Sequence, residues 1–140
     1  MTGWVPQHTA AVELVVRAPA RDVAEALLAP GATAWRAGLR LHRYDDRGDE
    51  GARFVVTGLL VGTCEWWIEA LPPGPGPEGV VVHFWLRGRA TRDGRRTPAR
   101  SVPGPAGWMA RRRTELLVRT RAQRFRHLVM RLRRELTVSP

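Results

Sequence analysis

The stretch ARRRTELLVRTRAQRFRHLVMRLRREL, residues 110–136, decides the fold. Within it Val118, Ala122, Phe125, Val129, Leu132 and Leu136 recur at alternating spacings of four and three. That is one apolar stripe of an amphipathic helix. Arg112, Arg119, Arg126 and Arg133 recur every seven residues on a different face. At roughly 1.5 Å per residue such a helix runs about 40 Å, so it must lie across a large apolar surface.

The preceding residues supply that surface as strands. Ala11 to Ala18 alternates, with Val12, Leu14, Val16 and Ala18 on one face. Pro19 then opens a short helix with Val23, Ala26 and Leu27 as its stripe, and Pro30-Gly31 ends it. Further strands are predicted at Leu39–Tyr44, Arg53–Leu59, Thr63–Leu71 and Val80–Arg89. A polar turn, 45–51, and a Pro/Gly-rich loop, 72–79, separate them. A hairpin of the last two strands can be registered with Ile68 opposite Phe84, Trp66 opposite Leu86 and Ala70 opposite Val82 on a dry face. Its other face then pairs Glu69 with His83, Trp67 with Trp85 and Glu65 with Arg87. Residues 91–107, rich in Arg, Pro and Gly, are predicted as an exposed, flexible loop. The whole is one α+β domain spanning residues 1–140, with the long helix packed on one face of an antiparallel sheet.

Composition narrows the chemistry. All 23 basic residues are arginine, which removes Schiff-base and P-loop lysine chemistry. A GC-rich genome is the expected source of much of that bias. A single cysteine, Cys64, excludes an internal disulfide framework and multi-cysteine metal sites. No apolar leader follows Met1–Pro6, so the expected location is the cytoplasm. Charge is uneven: residues 1–86 hold 7 Arg and 10 acidic residues, whereas residues 87–140 hold 16 Arg and 3 acidic residues. Nucleic acid and an anionic membrane are therefore kept as candidate partners, beside a solvated basic face.

The order of elements, with these residues, resembles the START-like (SRPBCC) superfamily of polyketide cyclases and lipid carriers. VELVVRAPARDVAEALL (12–28) is similar to its first strand, Ala-Pro turn and first helix. GLRLHRYDDRGDEGARFVVTG (38–58) and LVGTCEWWIEAL (60–71) are similar to its sheet, and FRHLVMRLRREL (125–136) to its gripping helix. The resemblance is strongest to short actinobacterial polyketide cyclase/dehydrase members. It implies a helix-grip fold, in which a curved sheet wraps the C-terminal helix around a hydrophobic pocket, and it implies no metal and no organic cofactor. Typical members carry more strands than the five counted here. Either short strands lie within residues 30–40 or 90–100, or the sheet is trimmed.

Candidate site residues follow. His8, His42, His83 and His127 are scattered without metal-ligand spacing, so no metal site is predicted. With only two serines, Ser101 and Ser139, a serine triad is not credible. Cys64, on an apolar strand face, reads as a core residue. For proton transfer the candidates are Arg40, His42 and Tyr44 on one strand face, with Glu69 and His83 if they pair. The competing account places all five on the solvent side of the sheet. For ligand binding they are Trp35, Trp66, Trp67 and Trp85, with Phe125 and Val129 from the helix stripe; ordinary core packing competes. The expected function is binding of a hydrophobic small molecule of polyketide, lipid or quinone type between sheet and helix, with cyclase/aromatase-type cyclisation or dehydration as its enzymatic form. The alternatives are a lipid or quinone carrier, or an RNA- or ribosome-associated module using the basic half. A dimer is also open.

Overall fold

A computed structural model describes residues 3–137. Five strands form one antiparallel sheet: β1 (His8–Val16), β2 (Leu39–Asp46), β3 (Gly51–Gly58), β4 (Leu60–Ala70) and β5 (Val80–Ala90). Their order is β1-β5-β4-β3-β2, so the first strand closes against the last. A short helix, α1 (Ala20–Leu28), and two 3-10 turns around Trp35 lie between β1 and β2. The long helix α2 (Gly104–Thr137) packs chiefly on β1 and β5. This is an α+β, helix-grip arrangement: one antiparallel sheet with the long C-terminal helix packed on one face. Residues 90–100 add only isolated bridges, Thr91 with Pro98 and Trp4 with Arg100. Among the described residues the sheet therefore has five strands.

The stripe on α2 does what its period requires. Val118, Ala122, Phe125, Val129 and Leu132 are buried, and Leu136 is half-buried. Opposite them the inward residues of the strands supply Val12, Val16, Trp66, Ile68, Val82, Phe84 and Leu86. At the centre Phe125 stacks on Phe84 with ring centroids 4.0 Å apart, and Trp35 meets both rings edge-on at 5.2 and 5.3 Å. Such pairs add about 0.5–1.5 kcal/mol each beyond the area they bury.

The hairpin register differs from the expectation by two residues. Trp66 faces Phe84, Ile68 faces Val82, Trp67 faces His83, Glu65 faces Trp85 and Ala70 faces Val80. The loop sets this: Leu71 N–H donates to Gly79 O at 2.9 Å, which closes the hairpin there. The same register puts Gly62 against Gly88, where a Cβ on Gly62 would collide with the backbone of β5. A slip of two leaves each side chain on its own face, so the dry and wet faces are as the alternation indicates.

The segment expected as a flexible loop over 91–107 is shorter and hydrogen-bonded. Residues 104–107 belong to α2, which begins before Ala110 with Pro105 in its first turn, where a missing N–H is harmless. Gly107 is needed there, since a Cβ would run into Val102 O. Upstream, Asp93 Oδ1 accepts N–H groups from Arg95, Arg96 and Thr97 at 2.9–3.1 Å. Ala99 N–H donates to Ala90 O and Val5 N–H to Ala99 O.

Candidate functional site

β4 is longer than its neighbour. β3 begins at Gly51 opposite Trp67, so residues 68–70 of β4 run on without a partner on that side. The 3-10 turn at Gly48–Glu50 and the start of α1 stand over this free end. Between them lies a groove of about 550 Å³. Its floor is Trp66, Ile68, Ala20, Ala52 and Ala70, with Trp67 at its edge. The alanines leave the space that larger side chains would fill. The rim carries Arg47, Arg53, Asp49, Glu50, Glu65 and Glu69. Arg53 Nε is 3.2 Å from Glu65 Oε2, and Arg47 Nε is 3.2 Å from Asp45 Oδ2. A hydrophobic floor with a charged rim suits a flat apolar molecule carrying a few polar atoms.

The residues singled out for ligand binding divide between the two faces. Trp35, Trp66, Phe125 and Val129 are buried on the α2 side, and Trp35 and Phe125 pack on Phe84 in the space between sheet and helix. Trp67 and Trp85 are on the opposite face, their rings edge-on at 6.0 Å, with Trp85 44% exposed. The groove unites Trp66 and Trp67.

All five proton-transfer candidates stand on the face turned away from α2. Arg40 and His42 line a polar basin of about 670 Å³ with Arg95 and Arg96, and His42 Nε2 lies 3.2 Å from Thr57 Oγ1. Tyr44 is exposed at the bulge in β2, above a small hollow shared with Trp85 and Arg87. Glu69 and His83 do come together, although diagonally: Glu69 is paired with Val81 and His83 with Trp67. The His83 Nε2–Glu69 Oε1 distance is 3.8 Å, and Nδ1 is 3.9 Å from Glu13 Oε2. The imidazole stacks on Trp67 at 4.6 Å, and its buried Nε2 has no hydrogen-bond partner. Of the five, only Glu69 lines the groove.

Sequence reasoning passed over Arg47, Asp49, Glu50 and Ala52. Their signal was the length of β4 against β3, which places the Asp-Arg-Gly-Asp-Glu-Gly turn (46–51) over the surplus residues. Cys64 is buried, and burial, with the nearby Glu65 charge, pushes its thiol far above the ordinary range. Among the described residues no group of three or more His, Cys, Asp or Glu is placed to hold a metal ion, and no helix is long and apolar enough to cross a membrane.

No family model matches the chain, and no curated protein matches it in sequence. Among solved structures it is similar to the Zhui aromatase/cyclase of Streptomyces sp. R1128. That likeness has 13% identity and a TM-score of 0.49, and it covers 96% of this chain and 98% of that one.

Proposed function

We propose that this chain binds a flat hydrophobic small molecule, of polyketide, lipid or quinone type, in the groove at the free end of β4. The observation that carries the proposal is the groove itself: about 550 Å³, floored by Trp66, Ile68 and three alanines, with Trp67 at its edge. Ligand sites are typically apolar hollows of about 300–1,000 Å³ with a few polar groups at the edge. The apolar floor suits the faces of a planar ligand, while Arg53 and Glu65 meet its polar atoms. The START-like resemblance agrees with the ligand class. The space beside α2 is taken up by Trp35, Phe84 and Phe125.

A cyclase activity is the second reading, and the Glu69–His83 pair favours it. Glu69 is at the groove wall, and His83 stands 3.8 Å behind it with an unpartnered Nε2. In a cyclisation Glu69 would take a proton α to a carbonyl, with His83 holding the carboxylate in place. The carbanion would then form a carbon–carbon bond to a second carbonyl, and the new alkoxide would take the proton back.

The test is quenching of tryptophan emission by a naphthoquinone probe in the full chain. Ala70→Trp blocks the groove at an exposed position. It is expected to weaken binding by about tenfold, equivalent to roughly 1.4 kcal/mol. Binding left unchanged by both Ala70→Trp and Trp67→Ala rejects the groove as the site.

A further inference from the structure

We propose that the N-terminal half of α2 and the adjoining arginine basin form a docking face for an anionic lipid surface. The helix stripe used against the sheet runs through Thr114, Val118 and Ala122. On the opposite side of the same helix, Trp108, Met109 and Leu116 are 59, 62 and 46% exposed. They share one outward face with Arg112 and Arg113, around an apolar trough of about 360 Å³. A large aromatic, a thioether and a leucine left in water side by side mark an interaction surface.

Hydrogen bonds join this trough to the corner of the sheet that carries the basin of Arg40, Arg95 and Arg96. Arg113 Nη2 donates to Thr91 O at 2.7 Å, and Thr91 N–H donates to Leu59 O. The neighbouring Gly58 N–H donates to Arg95 O at 2.7 Å. Leu59, next to Gly58 in the chain, is 41% exposed. Among the described residues no carboxylate forms an ion pair with Arg40, Arg95 or Arg96. The one acid in the basin, Asp93, is held by three backbone N–H groups. The corner therefore presents apolar side chains long enough to enter acyl chains, flanked by cations placed for phosphate groups. That is the pattern of an interfacial amphipathic helix.

Charge selects the occupant. The helix carries ten arginines and two glutamates, so a second copy of this face would meet like charge. Met109 and Leu116 offer aliphatic surface, which suits acyl chains better than stacked nucleobases. Clustered arginines beside an anionic leaflet each add attraction that falls away within a Debye length.

The test is co-sedimentation of the full chain with phosphatidylcholine vesicles, with and without phosphatidylglycerol. Binding is expected only with phosphatidylglycerol, weakening at high salt, with a blue shift of tryptophan emission. Trp108→Ser with Leu116→Ser should weaken it by about tenfold or more, and Arg95→Glu with Arg96→Glu should do likewise. All four positions are exposed, and an unchanged melting curve checks the fold. Ala70→Trp should leave vesicle binding untouched, which separates this face from the groove. Four results would overturn the proposal: no preference for phosphatidylglycerol; binding indifferent to the serine pair; self-association that the serine pair abolishes; or RNA binding that the serine pair weakens in its place.

Discussion

Replacing Phe125 with alanine tests the grip of helix on sheet. Phe125 is 1% exposed, stacked on Phe84 at 4.0 Å and met edge-on by Trp35 at 5.3 Å. Truncating a core phenylalanine costs about 3–5 kcal/mol. Here two aromatic pairs go with it, each worth about 0.5–1.5 kcal/mol. The walls cannot close on the hole, because β5 is hydrogen-bonded on both sides and α2 is pinned along its length. The loss is therefore expected at the upper end, about 4–5 kcal/mol. A domain of this length loses about 3–4 °C of Tm per kcal/mol, so the melting point should fall by about 12–20 °C. Circular dichroism melts and urea titrations of the full chain measure it, with Phe125→Leu as the control that keeps most of the volume. A fall of less than about 3 °C would mean that α2 is not seated on Phe84 and Trp35, and the account of the core would be wrong.

The turn at Asp93 predicts a pH dependence. The Arg95, Thr97 and Arg96 amides hold its carboxyl down at about 2, below the roughly 3.9 of an unfolded chain. Its stabilisation is therefore complete above the unfolded value and is lost as pH falls through the folded one. Asp93→Ala should flatten the dependence of the urea midpoint on pH between about 4 and 2; an unaltered slope refutes the assignment. For Cys64, whose thiol is buried and pushed far upward, an aromatic disulfide reagent should titrate nothing in the folded chain and one thiol per chain in denaturant. Rapid labelling of the native protein would show that β4 opens or that the side chain is not in the core.

What the sequence disclosed follows from which periods it carries. The α2 stripe was legible because spacings of three and four repeat over five turns, and only a helix brings Val118, Phe125 and Leu132 to one side. The strand faces were legible because alternation has period two. Register was not legible for the same reason: shifting β5 by two residues leaves Trp66 and Phe84 inside and Trp67 and His83 outside. It was fixed instead by Leu71 meeting Gly79, a contact that leaves no periodic trace. Residues 91–103 carry no period either, since Asp93 and backbone carbonyls hold them rather than a buried stripe. The groove was hidden because it arises from a length mismatch between β3 and β4. Of the candidate residues, Trp66, Trp67 and Glu69 line it, while Trp35 and Phe125 are committed to each other and to Phe84.

Some of the arginines are structural, which changes what the net charge of +10 means. Arg89 Nε donates to Val5 O at 2.7 Å, Arg113 Nη2 to Thr91 O at 2.7 Å, and Arg121 Nε and Nη2 both to Ala37 O at 3.0 and 2.8 Å. Each ties two segments far apart in the chain. Arg121 grips one carbonyl with two arms of its fork, which an ammonium group cannot copy. These guanidinium groups act as struts, and the absence of lysine is used structurally whatever its genomic origin. Arg40, Arg95 and Arg96 make no such bond; they face one basin beside an exposed apolar helix face. Part of the formal charge is therefore engaged inside the molecule, while Arg40, Arg95 and Arg96 are among the guanidinium groups left available to a partner. Replacing struts and basin residues separately should show stability following the first group and salt-dependent association following the second.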